Sequence, residues 1–208
     1  MATVYYGYAL RAAKSDGADY EAPVILGSVM AHEVGHLLLG PCAHAPAGIM
    51  QAQWKRDHLE RAMKGQILFM SDEAEKMRSN ASSRLATEIA NMDFAALRTT
   101  PEPPGITISV HDYADVSADT LPKAEEEARR ILQRARMRRT WLNCSHKLEL
   151  EKIEPANAPL PDGTHLVLKI LPVAKNAQFN SAVDVLGTAP WKTRIQRRAG
   201  LPARYSLG

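Results

Sequence analysis

The sequence predicts an α/β fold, of the α+β kind with a mixed sheet, in which one apolar helix and one charged helix back the strands. Two observations carry that class. Runs rich in β-branched and aromatic residues alternate with helical segments along most of the chain. Neither half can bury its apolar face alone, because the apolar helix of the first half needs a sheet and the strands of the second half need helices. The size permits such a fold: 208 residues, 45% hydrophobic and 24% charged, suffice for one core or two small ones. A net charge of +3 does not single out a nucleic-acid partner, and two cysteines, Cys42 and Cys144, supply no disulfide framework.

Taken in order, Thr3–Leu10 (TVYYGYAL) reads as a strand. After a polar turn, Pro23 takes a first-turn helical position ahead of VILGSVMAHEVGHLLL, residues 24–39. Gly40-Pro41 ends that helix, since glycine suits the left-handed position after a helix and proline cannot continue one. Residues 41–50 read as a loop, KRDHLERAMKG (55–65) as a short helix and ILF (67–69) as a brief strand. A longer, polar helix begins near Ser71 and runs to residue 92.

The composition breaks at TTPEPPG, residues 99–105, which mark a linker. Beyond it come the strand ITISVHDYA (106–114) and a helix over 121–139, capped by Asp119 or Thr120, with acids at its start and arginines at its end. RTWLNC (139–144) is the next strand, PANAPLPDG (155–163) a loop, and THLVLKILP (164–172) a strand apolar enough to be central. Residues 191–208 carry no strong pattern. The expected division is therefore 1–98, the linker 99–105, 106–190 belonging to the same domain, and a tail over 191–208. The N-terminus lacks the basic start and apolar run of a secretory signal, and no stretch reads as a membrane span. On that basis the chain as given is expected to be cytoplasmic, without a membrane partner.

The informative segment is His32-Glu33-Val34-Gly35-His36. On a helix, residues four apart share a face, so two imidazoles can bind one tetrahedral zinc ion. Glu33 is rotated by roughly 100° from His32. It therefore flanks the metal and can take a proton from a water that zinc has acidified. Two histidines and a glutamate in so apolar a helix are costly to bury without a partner. A third ligand is required. His44 is the first candidate, because Gly40 lets the chain turn back; Glu60, Asp57, His58 and Cys42 are the others.

The segment HEVGHLLLGPCAHAPAGIM resembles the metzincins, whose motif is HExxHxxGxxH followed by a methionine-containing turn. The resemblance implies His32, His36 and His44 as zinc ligands, Glu33 as general base, Gly40 as the turn and Met50 as the methionine beneath the site. Gly40 lies four residues after His36 instead of three, and His44 eight instead of six, so the third ligand is assigned less directly than the first two. Over most of its length the chain resembles a group of uncharacterised bacterial metzincin-like proteins.

The halves stand in permuted order. In a metzincin a strand–helix–strand unit precedes the motif helix, whereas here residues 106–172 follow it, and TVYYGYAL takes the place of the edge strand along the cleft. The resemblance implies zinc-dependent cleavage of a peptide or protein substrate. It leaves open a zinc-binding module without activity, and a pair of chains that exchange halves. Arginines in ARRILQRARMRR and at 196–198 raise nucleic-acid binding, but the helix dipole accounts for the charge order and the helix lacks aromatic stacking partners. His111, Asp112, Asp115, His146 and His165 read as structural or surface residues.

Overall fold

A computed structural model of the chain describes residues 1–14, 20–90, 105–144, 164–172 and 187–188, with backbone alone for 85–90 and 187–188. The elements in chain order are β1 (Ala2–Tyr5), α1 (Tyr6–Ala13), α2 (Ala22–Leu39), α3 (Arg56–Met63), α4 (Ser71–Ala90), β2 (Gly105–Asp112), α5 (Thr120–Arg134), β3 (Arg138–Cys144), β4 (Thr164–Leu171) and β5 (Gly187–Thr188). They form one sheet of order β3-β2-β4-β1-β5. The first four strands of that order run parallel, and β5 pairs antiparallel with β1 at the edge. Strands from both ends of the chain thus lie side by side, and THLVLKILP supplies the central strand. The linker up to residue 104, the loop 155–163, the tail 191–208 and His146 lie outside the described residues.

Register decides which face is apolar. Ile108 pairs with Leu166 and Val110 with Leu168 across β2 and β4, while Ala2 pairs with Leu168 and Val4 with Ile170 across β1 and β4. All of these are buried, and on β4 they alternate with half-buried His165, Val167, Lys169 and Leu171. A one-residue slip would turn this whole set outward. The buried face meets α2 and α5, which pack closely on each other: a β-carbon on Gly27 would collide with the backbone oxygen of Ala124. Each fully buried Ile or Leu here contributes about 1.5–3 kcal/mol relative to exposure.

Helix α2 is buried over nearly its whole length, which explains its lack of a polar face. It is long and apolar enough to cross a membrane, unlike the expectation drawn from the sequence, yet 78% of it is buried inside the fold. Its C-terminal carbonyls are satisfied from α4: Asn80 Nδ2 donates to Leu38 O at 2.7 Å and Arg84 to Leu37 O at 2.7 Å. Arg78 does the same for α5 at Ala135 O, also at 2.7 Å. So α4 fixes the ends of both sheet-backing helices, where unpaired carbonyls would otherwise carry partial negative charge.

Several local expectations are corrected. Thr3–Leu10 is not one strand: pairing stops at Tyr5, and YGYALRAA, rich in good helix formers, turns into α1 with Ala9, Ala12 and Ala13 buried. Nor is β1 an edge, because β5 covers its outer side. ILF (67–69) forms no strand; Ile67 and Phe69 are buried, and Leu68 O accepts one bond from Ile49 N at 2.9 Å. The helix expected over 121–139 ends at Arg134, with Arg136 at a left-handed φ of 55° before β3 begins. Asp119 makes no side-chain cap; Ser117 Oγ accepts from Thr120 N at 3.2 Å instead.

Candidate metal centre

The site begins with helical periodicity. His32 and His36 lie one turn apart on α2, and both are buried. Gly40, at φ 111°, ends the helix in a conformation that side-chain-bearing residues avoid, and the chain turns back so that exposed His44 meets the two buried rings. His36 Nε2 lies 3.0 Å from His32 Nε2 and 3.1 Å from His44 Nε2. The ligand nitrogens of all three residues fall within 4.8 Å of one another.

The outer nitrogens explain what these contacts are. His32 Nδ1 lies 2.7 Å from Ile49 O, and His36 Nδ1 lies 3.2 Å from Gly40 O. A carbonyl oxygen can only accept, so each Nδ1 carries the hydrogen and each Nε2 presents a lone pair. Burial, together with neighbouring imidazoles, lowers the pKa of His32 to about 3 and lowers that of His36 as well. Both rings are therefore neutral at pH 7. Two bare lone pairs 3.0 Å apart repel unless a cation lies between them. A tetrahedral zinc with Zn–N of about 2.05 Å holds its nitrogens about 3.3 Å apart, close to the separations here. Backbone carbonyls on the outer nitrogens are the usual means of orienting such ligands.

Glu33, next to His32, is 2% exposed, and its Oε2 has no hydrogen-bond partner. Burial raises its pKa to about 8, so without a nearby cation the group is protonated at neutral pH. A divalent ion would reverse that preference. The three imidazoles could hold a metal ion, and imidazole donors suit several first-row divalent metals.

Below the helix, Met50 is fully buried, and its Sδ lies 2.5 Å from where a Gly35 β-carbon would stand, with Phe69 at 2.8 Å. A side chain at Gly35 would displace Met50 or Phe69. The other third-ligand candidates stand apart from the cluster. Glu60 is exposed and paired with Arg56 at 3.0 Å; Asp57 is exposed; His58 bonds to Gln51. Cys42 is exposed and not the buried small side chain that a loop cysteine suggests. In the second half, half-buried His165 bonds Ser109 Oγ at 2.6 Å, and Asp112 ties down its own loop through the amides of Ala114 and Val116.

The sequence reading missed two features. The carbonyls of Ile49 and Gly40 belong to the backbone and leave no trace in residue type. Gln51, Trp54 and His58 gather behind the site, spaced as on a helix face, but α3 begins only at Arg56.

Fold and site together define an α/β protein whose three histidines could hold a metal ion. No protein-family model, curated protein or solved structure matches the chain.

Proposed function

We propose that the chain is a zinc-dependent peptide hydrolase with a metzincin-like fold whose halves stand in permuted order. The observation that carries this is the buried Glu33 carboxyl, its Oε2 without a hydrogen-bond partner, on the helix whose His32 and His36 face His44. His32, His36 and His44 would hold the ion, and a bound zinc supplies Lewis-acid polarisation of a carbonyl and acidification of water. Glu33, ionised by the neighbouring cation, accepts the proton of the attacking water and passes it to the leaving amine. Structural zinc sites close their fourth position with protein, whereas catalytic ones leave it open. Among the described residues only three ligand groups gather here, and His44 is exposed, which favours the open kind.

The partner is a peptide or protein chain. Edge strand β5, which touches α2, replaces TVYYGYAL as the strand along which an extended substrate backbone would pair. Glu33→Gln tests the reading directly. The amide keeps shape but cannot accept the proton, so the variant should retain one zinc per chain and lose cleavage of casein or a mixed peptide library by at least about a hundredfold. Equal activity in the variant removes Glu33 as base. Zinc binding with no cleavage by the parent leaves an inactive zinc module.

A further inference from the structure

We propose that His58 is a positioning residue for the metal centre, acting through the Gln51 side chain on the Ile49–Gln51 turn. It has this role only if a metal ion occupies the three imidazoles, as proposed above. His58 lies on α3, is 1% exposed, and is not among the three converging nitrogens. Its Nδ1–H donates to Gln51 Oε1 at 3.0 Å, and Trp54 Nε1–H donates to the main-chain oxygen of the same residue at 3.1 Å. Gln51 is thus held by both its carbonyl groups.

The turn so held contacts His32 directly and reaches His44 through the next residue, Ala45. Ile49 O accepts from His32 Nδ1 at 2.7 Å and orients that ring. Met50 O accepts from Ala45 N at 2.9 Å, and Ala45 also bridges to Gln51, so the residue after His44 is tied to the same turn. Trp54 completes the contact from the side: its ring stands edge-on to His32, centroids 6.0 Å apart, and tilted over His58 at 4.9 Å. A shift of Gln51 would therefore move the Ile49 carbonyl and the His44 loop together. Burying His58 is expensive, since its Nε2 has no partner, and a leucine would fill such a place more cheaply. Donation to Gln51 is the contact that an apolar residue could not make.

The test uses cobalt(II) as the probe, read by its visible d–d absorption and by competition for affinity, with far-UV circular dichroism and thermal melting of the metal-free protein as fold controls. Asn and Gln separate the two ring nitrogens, because the Asn amide nitrogen stands near the Nδ1 position and the Gln amide nitrogen near the Nε2 position. His58→Phe and His58→Gln should weaken cobalt binding roughly tenfold and alter the band shape, as changes behind metal ligands do. His58→Asn should bind within about twofold of the parent. Gln51→Leu, which leaves α3 untouched, should reproduce the loss, and combining it with His58→Phe should add nothing further. Unchanged cobalt affinity and spectrum in folded His58→Phe or Gln51→Leu overturns the positioning role while leaving the metal site intact. Equal loss in His58→Asn and His58→Phe overturns donation as its basis. If the parent itself binds no cobalt or zinc, the metal-site reading fails and this role with it.

Discussion

At the scale of single residues, the centre rests on which nitrogens carry hydrogens. Ile49 O and Gly40 O leave His32 and His36 with lone pairs on the facing nitrogens, and burial keeps both rings neutral. His44 completes the set from an exposed loop. His44→Ala should weaken zinc affinity by tens-fold or more, since it removes one of three ligands. Glu60→Ala should leave affinity nearly unchanged, because that carboxylate is exposed and already paired with Arg56. Isothermal titration with zinc compares the two, and the reverse ranking would make the glutamate the third ligand. His32, Glu33 and His36 were legible in the sequence because their chemistry depends only on helical spacing. His44 was the first candidate because Gly40 lets the chain turn back, but the loop spacing around Gly40 left Glu60, Asp57, His58 and Cys42 in contention. The carbonyls behind the ligands and the Gln51–His58 contact were not legible, because they arise from chain reversal between α2 and α3.

At the scale of elements, α2 is placed by the strands β1 and β4, by α5 and α1 packed on it, and by α4 at its C-terminus. The α2–α5 contact depends on the missing side chain of Gly27. A β-carbon there would meet the Ala124 carbonyl and lie 2.8 Å from Glu127 Cβ. Gly27→Ala should therefore destabilise the protein by roughly 1–3 kcal/mol, outweighing the ~1 kcal/mol that alanine gains in an isolated helix. Urea unfolding measures the difference, and an unchanged or higher midpoint would show that the helices can separate at little cost. The sequence signalled α2, α4, α5, β2 and β4 because each has length and strong pattern. The shorter α3 and β3 were signalled as well, but Thr3–Leu10 and Ile67–Phe69 were misread. Tyr5-Tyr6 suits a strand or a helix equally, and what ends β1 is the start of α1 with its buried alanines. Ile67–Phe69 has strand composition but no neighbour to pair with in a ladder.

At the scale of the whole molecule, a single chain closes its own sheet: β1 joins β4 on one side and β5 on the other. Light scattering should accordingly give the mass of one chain, whereas exchange of halves between two chains would give twice that mass with the same local pairing. Strand adjacency is the part of the architecture that strand patterns alone could not establish, since a sequence shows which segments form strands but not which lie side by side. The position of β1 also has a consequence in time. Residues leave the ribosome in order, so Ala2–Tyr5 is made well before its partners Leu168–Leu171 and Gly187–Thr188. Helix α2, with both histidines and the glutamate, emerges into a nascent chain that has β1 but still lacks β4 and α5. Contacts between such distant segments form late and slowly. A fold laid out this way leaves its histidine-bearing helix without a complete sheet until β4 has been made.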